Sequence, residues 1–388
     1  MKHSFIEKIY CLSVVLAFGL LFYSNAEAQE APDGTIYQLG LGKAFYIPCG
    51  IALVSSFFLK IKRDWLDRML YCLIFVAILS SLIHPPLSGT FLTWTVTRFV
   101  MAILCFKGVR DIDPLLLAKY ATVLSPLIVF PHYILSDPFS YGVYRYGGFY
   151  GDPNFLALAL NIIIALCCIS FRNEDSKLIK ILSACSIAGS VPIILLGMSR
   201  GGIIGLAIVI LSLLLNTFKK NKFGFSVLLL LVLISGFFIS RKMGSTLNLI
   251  EDRYMLESES DRIGSKARVE GVKSAFHVFE KKPGLLLFGI GLGNTYDTIN
   301  LHRDDGYSSV YVIHNTFISL LFELGLVGLI LYLLIYYQAF REQFRRRNYF
   351  MVGILLSVTV SLLTLPGAAF MPGWIFLFFA VNKQPFSV

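Results

Sequence analysis

Residues 154–171 read NFLALALNIIIALCCISF, a run without one charged side chain, opened by Asp152 and Pro153 and closed by Arg172. A run of this length is what one helix needs to cross a hydrocarbon layer about 30 Å thick. The layer offers no partner to an unpaired backbone N–H or C=O, so a spanning segment must satisfy its own. A helix does that.

The same pattern recurs in both directions. Spans are expected at 9–23, 37–59, 69–83, 91–106, 114–134, 154–171, 179–198, 201–217, 224–240, 313–338, 349–366 and 369–382, which predicts an all-α, polytopic integral membrane protein of about twelve helices. The last span is short and interrupted by Pro372 and Gly373, so it reads as re-entrant or tilted. Composition agrees: 56% of the 388 residues are hydrophobic and 15% charged, outside the range of water-soluble globular chains. No period of 20 to 50 residues repeats, so one membrane domain is expected over 1–388. The seven cysteines fall in or beside apolar runs, where they serve as small buried hydrophobes. No metal-ligand spacing occurs.

The net charge of +10 is not a nucleic-acid signature, because the basic residues sit in alternate connections rather than on one amphipathic face. Lys60, Lys62, Arg63 and Arg68, then Lys107 and Arg110, then Arg172, Lys177 and Lys180, then Arg341, Arg345, Arg346 and Arg347 mark the cytoplasmic side by the positive-inside rule. The N-terminus is then cytoplasmic. The connections at 24–36, 84–90, 136–153, 199–200, 241–312 and 367–368 face outward. Residues 2–28 also carry signal-peptide features, ending in Ala26-Glu27-Ala28, but a retained first helix is expected, and either outcome leaves Gln29 outside.

Between the ninth and tenth spans lies the one large connection, 241–312. It is long for a structureless loop. Within it Val269, Val272, Phe276 and Phe279 recur at helical spacing and Pro283-Gly284 ends the pattern, predicting a surface helix near 265–282. Gly289, Gly291 and Gly293 follow. Their backbone could approach a phosphate, but tight packing is an equal reading without a strand-turn-helix context.

Three outward connections end where a helix descends. Tyr144-Arg145-Tyr146-Gly147-Gly148-Phe149-Tyr150-Gly151-Asp152-Pro153-Asn154 opens the sixth span, Ser199-Arg200-Gly201-Gly202 the eighth, and His314-Asn315 the tenth. Each presents free N–H groups and a positive dipole end to the outer surface. With Arg145, Arg200 and Arg268 added, the arrangement suits a diphosphate, which guanidinium forks bind through charge-assisted bonds. Arg145 and Arg200 stand out because their loops are otherwise nearly free of positive charge. The plain alternatives are lipid-headgroup contacts for these arginines, an aromatic belt for Tyr141, Tyr144, Tyr146, Tyr150, Tyr307 and Tyr311, and a structural role for His314. Arg98 and Glu323 both fall inside spans, where isolated charges are costly, and an Arg98–Glu323 ion pair is the expected remedy.

The order Arg-Tyr-Gly-Gly-Phe-Tyr-Gly-Asp-Pro-Asn, Ser-Arg-Gly-Gly, a long loop with an arginine ahead of Pro and Gly-x-Gly, then His-Asn-Thr-Phe with Glu323-Leu-Gly-Leu-Val-Gly resembles the O-antigen ligase and polymerase family of membrane glycosyltransferases over about residues 140–330. The resemblance implies transfer of a glycan from an undecaprenyl diphosphate carrier to an acceptor hydroxyl on lipid A core or another glycan, at the outer face of a bacterial inner membrane. It implies no metal, cofactor or nucleotide sugar. Among membrane lipids and the lipid-linked glycan, no nucleic-acid partner is expected. Carried over residue by residue, it makes His314, Arg200 and Arg268 the functional set, with Asp152, Asn154 and Asn315 in support. Ligase, polymerase and protein O-oligosaccharyltransferase share this donor chemistry. A lipid-linked oligosaccharide transporter would place its polar residues at the midplane and show internal repeats, unlike this chain.

Overall fold

The computed structural model describes residues 4–21, 29–30, 36–37, 44–59, 64–84, 99–134, 146–148, 152–220, 259–295, 298–299, 313–365 and 371–384. These residues are helical except for turns and a two-residue antiparallel pairing of Gln29–Glu30 with Ile36–Tyr37. The helices are α1 Phe5–Leu21, α2 Tyr46–Phe58, α3 Trp65–Ile83, α4 at 99–106, α5 Pro114–Val129, α6 Pro153–Asn173, α7 Lys177–Leu196, α8 Arg200–Lys220, α9 Glu259–Lys281, α10 Thr316–Arg345, α11 Tyr349–Leu362 and α12 Met371–Ala380. Five of them, α3, α5 with its extension to Ile134, α6, α7 and α10, are long and apolar enough to cross a membrane; α2, α8 and α11 are apolar but shorter. The chain is a multi-pass helical membrane protein. The expected ninth span, 224–240, lies outside the described residues, as do Arg98 and Arg145.

Helix α6, the run that opened the sequence reading, is buried on every side from Leu156 to Ser170. A helix apolar all round belongs at the centre of a bundle. It packs against α5, α7 and α8. Small residues let α8 approach its neighbours closely: a Cβ at Gly202 would lie 2.3 Å from the Ala157 Cβ of α6, and one at Gly353 of α11 would lie 1.6 Å from Ser212 Oγ of α8.

The connections sort onto two faces, as the alternation of charge requires. On the basic face Arg110, 1% exposed, bonds Asp64 and Asp67 at 3.2 Å each, while Asp64 and Asp67 form a reciprocal cap on α3. Glu7 accepts from the Asp113 N–H, and Lys119 pairs with Glu174. The segment after α12 reaches the same place: Asn382 Nδ2 donates to the carbonyls of Val109 and Ile112, and Lys383 Nζ binds Asp111. With 10 residues, α12 is about 15 Å long, half the thickness of a hydrocarbon layer.

The tenth span departs from the single continuous helix expected at 313–338. α10 breaks at Gly325, whose φ of 68° and ψ of −172° are non-helical. Phe322 and Glu323 therefore turn their carbonyls to the loop after α9, accepting from Ile290 N–H at 2.9 Å and Gly291 N–H at 3.0 Å. At 1.5 Å per residue this break lies about 16 Å along the helix from His314. Freed backbone at such depth must be satisfied by neighbouring protein, and the loop does so.

Candidate functional site

Three helix starts meet on the face opposite Arg110. Asp152 caps α6, its carboxylate accepting from the N–H groups of Asn154 at 2.7 Å and Phe155 at 3.2 Å, with Pro153 in the first turn. Ser199 caps α8, accepting from Gly202 N–H at 3.1 Å while its hydroxyl donates to Asn154 Oδ1 at 2.7 Å. That single hydroxyl ties the first helix start to the second. Met198, before it, adopts a left-handed φ of 45°, a conformation uncommon outside glycine that turns the chain sharply into α8.

The third start is linked through the end of α11. Asn315 caps α10 by accepting from Phe317 and Ile318 N–H at 3.0 Å each, and its Nδ2 donates to Leu363 O at 3.1 Å. Thr316 Oγ1 donates to Leu365 O at 2.6 Å, and a Cβ at Gly201 would touch Thr364 Oγ1 at 2.7 Å. The start of α8 at Arg200–Gly201 thus lies beside the turn after α11 that holds Asn315. Tyr146 N–H donates to Leu196 O at 3.2 Å, and the Tyr146 ring stands edge-on to His132.

His314 is partly buried just ahead of this third helix start. Burial, reinforced by the positive charge of Arg268 and opposed by Asp152, holds its pKa below the usual histidine value. Arg268 of α9 and Asp152 of α6 therefore both lie close enough to act on this imidazole. Arg200 and Arg268 are both exposed. The surface helix foreseen near 265–282 extends over Glu259–Lys281 and seats Ala275, Val278 and Phe279 on Ile290, Ile299, Ile313 and Phe322.

The Gly-x-Gly stretch resolves to packing. Gly289, Gly291 and Gly293 all have positive φ, and the N–H groups of Ile290 and Gly291 go to α10 carbonyls rather than to open space. The Glu323 carboxylate accepts from Thr295 Oγ1 at 2.6 Å, and the N–H groups of Gly293 and Thr295 lie beside it. Thr295 and the turn carbonyls of Leu363 and Leu365 are participants the sequence reading passed over, and Ser199, quoted there, was given no role. Only Ser199 carried a usable signal, a serine directly before a helix start.

The described residues thus define a class: a multi-pass helical membrane protein with a cationic, capped-helix site at one face. Residues 185–333, which include Arg200, Arg268, His314 and Glu323, match the family model for O-antigen ligase, so this part of the chain is similar to that family. No curated protein matches the chain.

Proposed function

We propose that this protein transfers a glycan from an undecaprenyl diphosphate carrier to an acceptor hydroxyl at the outer face of a bacterial inner membrane, in the manner of an O-antigen ligase. The observation that carries this reading is the meeting of three capped helix N-termini with Arg268 and a partly buried His314. Helix N-termini and guanidinium groups attract a diphosphate, and their charge matters most as the sugar–phosphate bond breaks and negative charge grows on the leaving oxygen. His314 takes the acceptor's hydroxyl proton while that oxygen attacks the anomeric carbon. The carrier diphosphate departs against Arg200 and Arg268, with Arg145 assigned the same role. A depressed pKa keeps the imidazole neutral and able to accept a proton at working pH.

The test is a deletion strain complemented with wild type, Arg200→Ala or Arg200→Lys. Accumulation of long glycan on the carrier identifies a ligase; single repeat units identify a polymerase, and failure of either to accumulate externally points to transport. Arg200→Ala is expected to lose about a hundred- to thousand-fold in transfer rate. Arg200→Lys is expected to rescue poorly, because the ammonium lacks the planar fork. Near-normal transfer by Arg200→Ala at equal expression refutes the assignment.

A further inference from the structure

The buried carboxylate of Glu323 has no part in the chemistry proposed above, yet it gathers an unusual number of bonds. Glu323 is 6% exposed and its carboxylate accepts from Thr295 Oγ1, with the backbone N–H groups of Gly293 and Thr295 alongside. Its backbone carbonyl accepts from Gly291 N–H at 3.0 Å and from Ser80 Oγ of α3 at 3.0 Å. Every one of these partners is a donor. The carboxylate can only accept from the donors that face it, whereas Glu323→Gln places an NH2 among them and leaves the two bonds to the backbone carbonyl in place.

Glu323 stands two residues before the break in α10, at the inner end of the half-helix that begins just after His314. The loop it binds is the direct continuation of α9, which carries Arg268. The elements bearing Arg268 and His314 share a small core of their own: Ala275, Val278, Phe279, Ile290, Ile299, Ile313 and Phe322, distinct from the main core of the membrane helices. Of these, Ile313 precedes His314 and Phe322 precedes Glu323. We propose that Glu323, through Thr295 and the loop backbone, is a positioning residue that holds α9 and the outer half of α10 in one register, and so fixes Arg268 relative to His314. This rests on the proposed transfer reaction for its consequence, though the mechanical claim stands apart from it.

The experiment uses the full chain in nanodiscs, with a lipid diphosphate-linked glycan as donor and the cognate glycan acceptor. Thr295→Ser keeps the hydroxyl donor and is expected to stay within about twofold of wild-type kcat. Thr295→Val is nearly isosteric but donates nothing, and is expected to lose at least about tenfold in kcat with little change in KM, since displacements near 1 Å can cost about a hundredfold. Glu323→Gln is expected to lose more. Independently, nitroxides on Lys273→Cys of α9 and on Phe317→Cys, half-buried in the outer half of α10, with the exposed Cys72 and Cys185 changed to serine, report the register by pulsed EPR; a single narrow distance in wild type is expected to broaden in Glu323→Gln and Thr295→Val. A Thr295→Val protein with wild-type kcat, or a Glu323→Gln protein with the unchanged narrow distance, overturns the inference. If wild type transfers no glycan, the proposed reaction fails while the EPR distances still decide the role of Glu323.

Discussion

Replacing Gly289 by alanine tests the seam between the loop and the broken helix most directly. A Cβ there would lie 2.2 Å from Glu323 O and 2.3 Å from Glu323 C, both backbone atoms that cannot rotate away. Ordinary contact begins near 3.4 Å, so the loop must retreat by about 1 Å. The two adjacent hydrogen bonds, Ile290 N–H to Phe322 O at 2.9 Å and Gly291 N–H to Glu323 O at 3.0 Å, then stretch beyond useful length. Losing both costs about 1 to 3 kcal/mol. A φ of 75° imposed on a residue with a Cβ adds about 1 to 2 kcal/mol. The expected destabilisation is about 2 to 5 kcal/mol, measured by equilibrium unfolding in mixed micelles of rising SDS content. Gly284→Ala is the matched control: its Cβ would meet nothing within 4 Å and its φ is −60°. That variant should stay within about 0.5 kcal/mol of wild type. If Gly289→Ala and Gly284→Ala unfold alike, the loop does not fill the helix break in the way described.

Other outcomes follow from the site and the opposite face. Because burial and Arg268 lower the His314 pKa, wild-type kcat should hold through neutral pH and fall only as pH drops below the ordinary histidine value; Arg268→Ala should move that acid limb to higher pH and Asp152→Asn to lower pH, in pH–rate profiles of purified enzyme. His314→Gln should lose about a hundredfold or more in kcat while still binding donor, and a glutamine variant with most of its activity would exclude the base role. Arg110→Met leaves Asp67 buried without its cation and should destabilise by about 3 to 5 kcal/mol, with much of the loss recovered by adding Asp67→Asn; additivity of the two changes in a double-mutant cycle would count against their coupling. Lys281→Cys, on the exposed end of α9, should react with an impermeant thiol reagent from outside the cell membrane, and labelling only after lysis would reverse the assigned sidedness.

Much of this arrangement was legible before any coordinates. Asp152-Pro153 and His314-Asn315 announced helix starts because side-chain caps and an N-terminal proline are local signals, and both are seen as capped helix starts. Charge alternation sorted the connections onto two faces because each span reverses the chain. The break at Gly325 was not legible, since hydropathy reads Leu324-Gly325-Leu326 as uninterrupted apolar sequence and a single glycine is tolerated in membrane helices. The clue available was Glu323 itself, a carboxylate within a span that must find donors somewhere. Its expected partner, Arg98, lies outside the described residues, and the donors found are Thr295 and loop backbone. Contacts such as Thr316 to Leu365 and Ser80 to Phe288 join residues far apart in sequence, and no local pattern encodes them.

The bonds from Asn382 to Val109 and Ile112 also impose an order of assembly. They connect residues 273 and 270 positions apart, so the two carbonyls emerge from the ribosome long before their partner exists. At roughly 5 to 20 residues per second the wait is on the order of tens of seconds. During that interval the turn around Arg110 has only water or a chaperone to satisfy it, because α12, whose neighbours α6, α10 and α11 all precede it in the chain, has yet to be made. Closure of the basic face is therefore a late event in biogenesis, and quality-control proteases at that face have a window in which to sample chains whose final helix has not yet docked.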